Sequence, residues 1–551
     1  MKQILQSLSS GEAIVAEIPA PIAENNSILI QSNVSLISSG TERMLVNFGK
    51  SNLIGKALQQ PARVGEVIAK AKVDGVSATY NAVKTKLDQP ITLGYSNVGI
   101  VVSENTPGFK VGERVVSNGS HAEFVVVKKH LCAKIPDNVS NKTAAFTVLG
   151  SIGLQGIRLA QLTLGEVVVV YGVGVIGLLT VQMLKAHGCR VIAIDIDDKN
   201  LKLANEYGAE TFNILSGLDV GIVVNKITQS QGVDAVIITA SSKKHDIIST
   251  AAKISRKRGR IVLVGDVGLD LKRSDFFEKE LTFQVSCSYG PGRYDSNYEN
   301  LGNDYPIGFV RWTEQRNFDA VLQLMAEGKI LTDKLITHEF SISQGVEAIS
   351  ELSSRSRNLG ILISYPSKLE ITTNLDAPIP LKSPNEINLS KLKNSDIRVI
   401  FWGAGAYASK VLIPHFKNAG SELVNIVSKT GVSAFFFGSK HGFRYANTNL
   451  VNNLDEDSGN IVVIATQHNL HAEQVLLALR AGKHVFCEKP LCLKAEELKE
   501  ISDEMKKREN QILMVGFNRR FSPLVKKVKD LIDKQTNGIP VSYTHLTLPT
   551  N

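Results

Sequence analysis

The sequence has little cysteine and no long apolar segment. Its 551 residues include only five cysteines, none in a CxxC pair, which argues against a zinc knuckle and for a reducing compartment. No stretch reaches the ~18 apolar residues needed to cross a bilayer. The N-terminus lacks the continuous apolar core of a signal peptide, so we expect a cytoplasmic protein with no membrane partner. The cysteines are Cys132, Cys189, Cys287, Cys487 and Cys492.

The charge is mildly basic and is not concentrated in one segment. A net charge of +9 arises from 62 basic and 53 acidic residues scattered along the chain. No basic stripe or aromatic platform accompanies it, so we expect no nucleic-acid partner. A bias of this size favours small anionic ligands.

The spacing of apolar residues divides the chain into distinct regions. Residues 1–146 hold short β-branched runs separated by turn signals, which predicts an antiparallel β domain, with a helical stretch at 51–86. Residues 144–290 alternate strand-like and helix-like patterns, which is typical of a doubly wound parallel sheet. A second series of this kind begins at Ile397. The predicted fold class is therefore α/β with two nucleotide-binding domains.

A glycine-rich turn follows the strand-like run "VVVVY". Gly172, Gly174 and Gly177 form GxGxxG between a strand and a helix, where backbone N–H groups and the helix dipole hold a pyrophosphate. Asp195 ends the next strand and is placed to accept hydrogen bonds from a ribose diol, which favours NAD over NADP. The predicted cofactor-binding residues of this domain are Gly172, Gly174, Val175, Ile176, Gly177 and Asp195.

A second turn of the same kind occurs in "VIFWGAGAYASKV". Gly403 and Gly405 again follow a strand, and Ala408 stands in place of the third glycine. Ser428 occupies the position at which NAD-binding proteins usually carry an acid. Ser428 and Lys429 would suit a 2′-phosphate, but a solvated loop would look the same, so the second domain is open to NAD or NADP.

The first part of the chain resembles the medium-chain dehydrogenase/reductase superfamily. The resemblance covers about residues 1–366 and rests on "SSGTERM", "LGYSNVGIVV", "GERVV", "HAEFVVV", "KIPDNVS" and "YGVGVIG". It implies a GroES-like substrate domain at 1–148, completed by 291–366, and a Rossmann domain at 149–290.

Many members of that superfamily hold a catalytic zinc, and the matching positions here do not favour one. They are Ser39, Tyr95 with Ser96, and the apolar Val148 and Leu149. Because a serine hydroxyl and a phenol are poor zinc ligands, we expect no metal.

Without zinc, another group has to stabilise the reacting oxygen. The resemblance places Tyr95 and His121 near the cleft as candidate catalytic residues, and Arg293, Arg311 and Trp312 as candidate substrate-binding residues. Two alternatives stay open at this point. His121 could be a packing or surface histidine. Arg311 could belong to a structural ion pair rather than bind a substrate carboxylate or phosphate.

The second domain resembles the Gfo/Idh/MocA family of sugar and inositol oxidoreductases. The resemblance covers about residues 396–540 and rests on "AGKHVFCEKPLCL", "ATQHNLHAEQVLLAL" and "GFNRRFSP". It implies that Lys489 acts as acid/base at a carbinol oxygen, a role that desolvation beside a nicotinamide can tune. It also places Arg519 on the substrate side. The predicted cofactor-binding residues are Gly403, Gly405, Ala406, Ser428, Lys429, Thr466, Glu488 and Pro490.

The family pattern continues beyond the length seen here, through an antiparallel sheet that supplies a histidine partner for the lysine. We therefore expect a truncated second domain at 397–541 that binds cofactor and lacks its substrate wall, preceded by a linker at 367–396. The final residues, 542–551, resemble a translated sequencing adapter and are excluded from functional reasoning.

These observations predict an NAD(P)-dependent oxidoreductase acting on CH–OH groups. The expected substrate is a small molecule, a sugar or nucleotide-sugar in cell-surface polysaccharide metabolism, an association that rests on the order of the two domains. The alternative is a non-catalytic protein that senses NAD(H) or mediates an interaction. The sequence leaves the oligomeric state open, with a homo-oligomer among the options.

Overall fold

The computed structural model describes most of the chain. The residues described are 1–103, 106–217, 219–243, 246–354, 358–366, 375, 377–381, 397–451, 454 and 458–534. The chain divides into unit 1, Met1–Ala377, and unit 2, Pro378–Asn551. Most of the predicted linker at 367–396 and all of the predicted tail at 542–551 lie outside the described residues.

Unit 1 contains two large sheets, one of mixed and one of parallel strands. Its strands are β1 (Lys2–Gln6), β2 (Ala13–Glu17), β3 (Ser27–Ser38), β4 (Ile91–Thr92), β5 (Asn97–Val101), β6 (Arg114–Ser117), β7 (Phe124–Lys128), β8 (Cys132–Lys134), β9 (Val167–Tyr171), β10 (Arg190–Asp195), β11 (Glu210–Asn213), β12 (Val233–Ile238), β13 (Ser241–Ser242), β14 (Ser255–Leu263), β15 (Asp266–Val267), β16 (Thr282–Val285), β17 (Ile336–Ser341) and β18 (Gly360–Ser364).

The helices that the structure describes in unit 1 fall into three groups: six before the parallel sheet (α1–α6), five between its strands (α7–α11) and three after it (α12–α14). They are α1 (Thr41–Lys50), α2 (Leu53–Gln59), α3 (Pro61–Asp74), α4 (Val76–Asp88), α5 (Asn141–Ala144), α6 (Thr147–Leu159), α7 (Val175–Ala186), α8 (Asp198–Glu206), α9 (Val220–Ile227), α10 (Asp246–Ile254), α11 (Arg273–Phe277), α12 (Ser296–Glu299), α13 (Glu314–Ala326) and α14 (Gly345–Glu351). The helical stretch predicted at 51–86 corresponds to α2, α3 and α4. The helical region begins ten residues earlier than predicted, with α1 at Thr41.

The parallel sheet has the strand order β11-β10-β9-β12-β14-β16. Every neighbouring pair in it is parallel. The central strand β9 is almost entirely buried, because helices cover both faces of such a sheet and select continuous apolar runs. The prediction of a doubly wound sheet is confirmed.

The mixed sheet has the order β17-β18-β3-β5-β6-β8, with β7 also paired to β3. The twelve-residue strand β3 is long enough to pair with β5, β7 and β18, all antiparallel. The chain therefore returns to its first sheet after completing the parallel sheet.

Unit 2 repeats the parallel architecture with one added edge strand. The sheet order is β19-β22-β21-β20-β23-β24-β25, in which only the β19–β22 pair is antiparallel. The strands are β19 (Ile379–Pro380), β20 (Arg398–Trp402), β21 (Glu422–Val427), β22 (Tyr445–Asn447), β23 (Ile461–Ile464), β24 (His484–Glu488) and β25 (Leu513–Gly516). The helices are α15 (Ile413–Asn418), α16 (Val432–His441), α17 (His471–Arg480), α18 (Ala495–Lys506) and α19 (Pro523–Asp533).

Two further findings concern the whole described chain. All five cysteines carry free thiols. Among the described helices, none combines the length and the apolar character that a membrane crossing requires.

Candidate active and cofactor sites

The first glycine turn lies where β9 passes into α7. Gly172 has a φ of +95°, a left-handed conformation that residues with a Cβ rarely adopt. A Cβ on Gly177 would lie 2.1 Å from the Gly172 carbonyl oxygen, so the helix can approach the strand only without a side chain there. These two glycines are required by the protein's own packing.

Gly174 differs, because a Cβ built on it would meet no protein atom within 4 Å. It is the N-cap of α7, and no side chain caps the helix at this end. The N–H groups of Val175, Ile176 and Gly177 belong to the first turn of α7, which no side chain caps, and the space beside Gly174 is open. This is the arrangement that fits a dinucleotide diphosphate.

Asp195 is fixed beside this turn. Its Oδ2 accepts a hydrogen bond from the Val173 N–H at 2.5 Å, and its Oδ1 accepts from Ile196 at 2.7 Å and Asp197 at 3.0 Å. The carboxylate thus links the end of β10 to the glycine turn. Its placement fits the predicted contact with a ribose diol.

Tyr95 lies just before β5 and is half-buried. Its hydroxyl donates to Thr41 Oγ1 at 3.4 Å, at the first residue of α1. The adjacent Ser96 hydroxyl donates to the Ala145 carbonyl at 2.6 Å, which ties this segment to the approach to α6. Burial raises the pKa of Tyr95, side-chain hydrogen bonds with Ser38 and Thr41 lower it, and the charge of Glu42 raises it.

His121 occupies a different place from the one expected of a residue that touches substrate. Its side chain is fully buried, Nε2 lies 2.8 Å from Glu42 Oε1, and Nδ1 lies 2.7 Å from Ser35 Oγ. The other Glu42 oxygen accepts the Ser38 N–H at 2.5 Å, and Ser35 Oγ lies 2.7 Å from the Tyr365 hydroxyl. Both ring nitrogens of His121 are therefore engaged inside the protein.

The residues at the expected zinc positions do not fit a zinc ion. Ser39 and Tyr95 offer only hydroxyl groups, and the nearby carboxylate and imidazole of Glu42 and His121 are bound to each other. Within the described ranges, no group of three or more His, Cys, Asp or Glu side chains is arranged to hold a metal.

The three substrate-binding residues expected in unit 1 do not form one cluster in the structure. Arg293 donates from Nη1 to Glu299 Oε1 at 2.5 Å, with both side chains largely buried, so this arginine serves an internal ion pair rather than an open site. Arg311 and Trp312 lie together, the Arg311 Cζ 4.0 Å from the indole centroid.

The second glycine turn follows β20 and repeats part of this geometry. Gly403 has a φ of +101°, and a Cβ there would lie 2.5 Å from the Ala465 carbonyl oxygen. A Cβ on Gly405 would meet no protein atom within 4 Å, and Ala406 follows it. The buried Ala408 starts a short π-helical segment, so the third position accepts a methyl group here.

The predicted cofactor residues after β21 and β23 are held by local contacts. Ser428 follows β21, and its Oγ accepts the Ala434 N–H at 3.0 Å, from the first turn of α16. Lys429 is the exposed neighbour of Ser428. Thr466 follows β23 and donates from Oγ1 to Gln474 Oε1 at 2.6 Å.

The "EKP" segment lies at the carboxyl end of β24. Lys489 is exposed, its backbone N–H donates to Glu488 Oε2 at 3.3 Å, and the Lys489–Pro490 peptide is cis. The buried His471 at the start of α17 contacts the Pro490 carbonyl through Nδ1 at 2.6 Å and the Thr466 carbonyl through Nε2 at 3.3 Å. One imidazole thus joins the ends of β23 and β24.

Arg519 lies in the exposed turn after β25. Its neighbour Asn518 donates to the Tyr407 hydroxyl at 3.0 Å, which brings this turn close to the second glycine turn. The structure therefore gathers the expected residues of unit 2 along one edge of its sheet.

Several residues around the sites are not predicted by the sequence reasoning. Glu42 meets His121 across 79 residues of sequence, and Arg158 meets Asn317 across 159. No local spacing encodes such pairs. The one available signal for Glu42 is its place beside Thr41 in "SSGTERM", one of the segments that carry the resemblance.

Comparisons with known proteins confirm both resemblances. The model described as zinc-binding dehydrogenase matches residues 175–302, and the model described as oxidoreductase family, NAD-binding Rossmann fold, the Gfo/Idh/MocA model, matches residues 397–517. The match in unit 1 begins at the first residue of α7, after β9, and includes the other five strands of the parallel sheet. Ser39, Tyr95, Val148 and Leu149 lie outside it.

Individual relatives match unit 1. An L-idonate 5-dehydrogenase from Vitis vinifera is 30% identical over 248 residues, which is 44% of this chain and 61% of that protein. A D-xylulose reductase from Saccharomyces cerevisiae is 24% identical over 357 residues, covering 56% of this chain and 93% of that protein. The solved structure of galactitol-1-phosphate dehydrogenase from Escherichia coli aligns with a TM-score of 0.51 at 19% identity, covering 66% of this chain and all of the other, and shows the fold.

Proposed function

We propose that this chain, which joins a medium-chain dehydrogenase/reductase unit to a Gfo/Idh/MocA-type Rossmann domain, is an NAD(P)-dependent oxidoreductase that interconverts a carbinol and a ketone of a sugar or sugar alcohol. The observation that carries the proposal is the first glycine turn, where Gly174 leaves open space in front of an uncapped helix and Asp195 stands beside it. The relatives named L-idonate 5-dehydrogenase and D-xylulose reductase support the substrate class.

Unit 1 would hold the dinucleotide through the N–H groups of residues 175–177 and through Asp195. NAD(P), when bound there, supplies or accepts the hydride. In ketone reduction the substrate carbon gains the hydride, and the Tyr95 hydroxyl gives its proton to the carbonyl oxygen. Because burial raises the pKa of Tyr95, this phenol is protonated at neutral pH and carries the proton that the carbonyl oxygen receives.

The chemistry of unit 1 proceeds without zinc in this proposal. Thr41 contacts the Tyr95 hydroxyl and connects it to the first turn of α1, where Glu42 is anchored on His121. We assign His121 to positioning: it holds Glu42, and through Glu42 the helix that carries Thr41. The purified protein should contain no stoichiometric zinc, and a chelator should leave its activity unchanged.

Unit 2 would bind NAD or NADP at residues 403–406, with Ser428 and Lys429 near the ribose. Lys489 takes the acid/base role at the carbinol oxygen, with Glu488, Pro490 and Thr466 at the nicotinamide end and Arg519 on the substrate side. The proposed reaction context is cell-surface polysaccharide metabolism, which rests on the domain order alone.

The test follows NADH in the full chain with D-xylulose as oxidant and, in the reverse direction, NAD with xylitol. Tyr95→Phe should lower kcat at least about 100-fold, the usual scale for removing a general acid, and leave NADH affinity unchanged. The matched control is Tyr80→Phe, an exposed tyrosine on α4.

Activity of Tyr95→Phe at the level of the unsubstituted protein would overturn the catalytic assignment. Tight NADH binding with no turnover of any sugar, sugar alcohol or nucleotide-sugar would favour the sensor alternative instead.

A further inference from the structure

Helices α2, α3 and α4 form an arm of unit 1 that leaves large apolar side chains in solvent. Among the side chains that the structure describes at residues 53–88, none on α3 is buried, and Thr79 is the one buried on α4. The large apolar side chains of the α2–α4 arm that are more than half exposed are Ile54, Leu58, Ile68, Val76 and Tyr80. Exposed apolar groups this close together in the chain mark an interaction surface.

The apolar side chains of α3 lie on one face of the helix, and cations border that face. With about 3.6 residues per turn, Lys72 lies at one border and Arg63 at the other. Glu66 lies on the opposite face. The apolar face has the i, i+3, i+4, i+7 spacing of an amphipathic helix and consists of Val64, Val67, Ile68 and Ala71.

Helix α4 repeats this pattern. Val76 and Tyr80 lie one turn apart on the face of α4 that Lys84 and Lys86 border on its two sides. Both apolar side chains follow the turn at Gly75, which has a φ of +86° and joins α3 to α4. The exposed apolar side chains of α4 therefore lie at the same end of the arm as the last turn of α3.

The exposed charge of the α2–α4 arm is predominantly positive. Lys56 is the exception among its cations, because it is buried and its Nζ donates to the carbonyls of Gly49 at 2.9 Å and Ser51 at 2.6 Å, which joins α2 to the end of α1. The remaining charged side chains that the structure describes as exposed on the arm are five cations and one carboxylate: Arg63, Lys70, Lys72, Lys84, Lys86 and Glu66.

We propose that the α2–α4 arm binds the surface of a membrane that contains anionic lipids. Such a surface offers an apolar layer to the exposed apolar side chains and anionic headgroups to the cations that border them. The long lysine stems can lie along the apolar layer while their ammonium groups stay at the headgroups. The arm thus matches both properties of this one partner.

Other partners match only one of these properties. A nucleic acid would attract the cations and leave Ile54, Leu58 and Val76 in solvent. A second copy of the chain, paired symmetrically through the same face, would bring like charges together. The expectation of no membrane partner rests on the lack of a spanning segment and of a signal peptide, and attachment to a membrane surface requires neither.

Flotation of the full chain with lipid vesicles tests the proposal. The two probes are vesicles of phosphatidylcholine alone and vesicles of phosphatidylcholine mixed with phosphatidylglycerol. We expect the chain to bind the anionic vesicles at least about tenfold more tightly than the neutral ones, because the cations of the arm act only on the former. This preference should shrink as the salt concentration rises.

Substitutions of the apolar side chains test the arm itself. Leu58→Ser and Ile68→Ser should each weaken binding to the anionic vesicles at least about tenfold, because each removes an apolar group from the bound surface. The matched control is Leu164→Ser, since Leu164 is an exposed leucine of unit 1 outside the arm. It should leave binding unchanged.

Substitutions of the cations provide an independent set of variants. Lys72→Gln and Lys84→Gln should each weaken binding to the anionic vesicles about fivefold and leave binding to the neutral vesicles unchanged. Lys202→Gln, at an exposed lysine on α8, is the matched control and should have no effect. NADH affinity should stay unchanged in every variant, because none of these residues belongs to a glycine turn.

Equal binding to neutral and anionic vesicles, no binding to either, or binding that both sets of variants leave unchanged would overturn the proposal. Sedimentation of the chain without lipid tests the second copy as the occupant. A dimer that Leu58→Ser converts to a monomer, in a chain that binds no vesicles, would assign the arm to self-association and contradict the membrane site.

Discussion

The two glycine turns have similar backbone geometry but differ in the residues around it. Each places a glycine of positive φ after the central strand and a second glycine facing open space. In unit 1 the third glycine lies against the strand, whereas in unit 2 Ala408 fits in its place. At the end of the next strand, unit 1 has a carboxylate held by three backbone N–H groups, and unit 2 has a serine hydroxyl. The two glycines that both turns share are the ones that the binding of a diphosphate requires. The residues that differ contact the helix, at the third position, or would contact the ribose, at the end of the next strand.

The largest expected effect is on stability, and it distinguishes the third position of the glycine turn in unit 1, Gly177, from that in unit 2, Ala408. Gly177→Ala would put a Cβ 2.1 Å from the Gly172 oxygen, so we expect the free energy of unfolding of unit 1 to fall by about 3 kcal/mol. Single-tryptophan variants that retain Trp312 or Trp402 report the unfolding of unit 1 and unit 2 separately. Ala408→Gly is the control in unit 2 and should cost no more than about 1 kcal/mol. Equal stability of Gly177→Ala and the unsubstituted protein would show that the helix does not depend on this contact.

The next effect is a pH dependence confined to unit 1. Burial raises the pKa of Glu314 from 4.5 to about 9. The charge of Glu299 raises this pKa further, and the charge of Arg293 lowers it. The native state thus holds a proton that the unfolded chain releases, and stability falls as the pH rises between these values. Between pH 6 and pH 8 the loss is at most about 2.7 kcal/mol, and Glu314→Gln should remove it. If the free energy of unfolding of unit 1 changes with pH by the same amount in Glu314→Gln and in the unsubstituted protein, the prediction is wrong. Trp402 emission reports the pH dependence of unit 2 for comparison.

A third effect separates packing from ligand binding within the first turn. Gly174→Ala adds a methyl group to open space at a φ of −67°, so we expect unchanged stability. The same methyl group occupies the approach to the diphosphate, so NADH affinity at unit 1 should fall about tenfold, or about 1.4 kcal/mol. Fluorescence titration with NADH measures the affinity. Undiminished affinity would mean that the dinucleotide does not approach at Gly174.

The smallest effect concerns cofactor choice and exchanges the two ribose positions. Asp195→Ser should raise the ratio of NADPH to NADH affinity at unit 1 several-fold, because it removes a carboxylate that repels a 2′-phosphate. Ser428→Asp should lower the same ratio at unit 2. Titrations with both dinucleotides check the pair, and a ratio that moves in the same direction in both variants would contradict the assignment.

The sequence predicts much of this fold because its signals are local. The alternation in β3, the apolar run of β9 and the turn at Gly172 each lie within a dozen residues. The short strands β11 and β22 are not predicted, since each spans only three or four residues and lacks an apolar run. Their pairing depends on the neighbouring strand rather than on their own residues.

The site residues likewise divide into those that local sequence spacing predicts and those that it does not. The glycines, Asp195 and the "EKP" segment follow strands and are recognisable from spacing. The engagement of His121 by Glu42, of Arg293 by Glu299 and of Trp312 by Arg158 depends on tertiary packing, which no spacing of residues encodes. In the structure His121 and Arg293 make internal contacts, and Arg158 stacks on Trp312 as Arg311 does.

Both glycine turns are proposed to bind a redox dinucleotide, and calorimetric titration of the full chain with NADH measures this binding. We expect two molecules bound per chain, one bound about tenfold more weakly in Gly174→Ala, the other in Gly405→Ala, and both in the double variant. Absence of uptake by the unsubstituted chain, or two affinities that the double variant leaves unchanged, would show that the turns do not bind the dinucleotide.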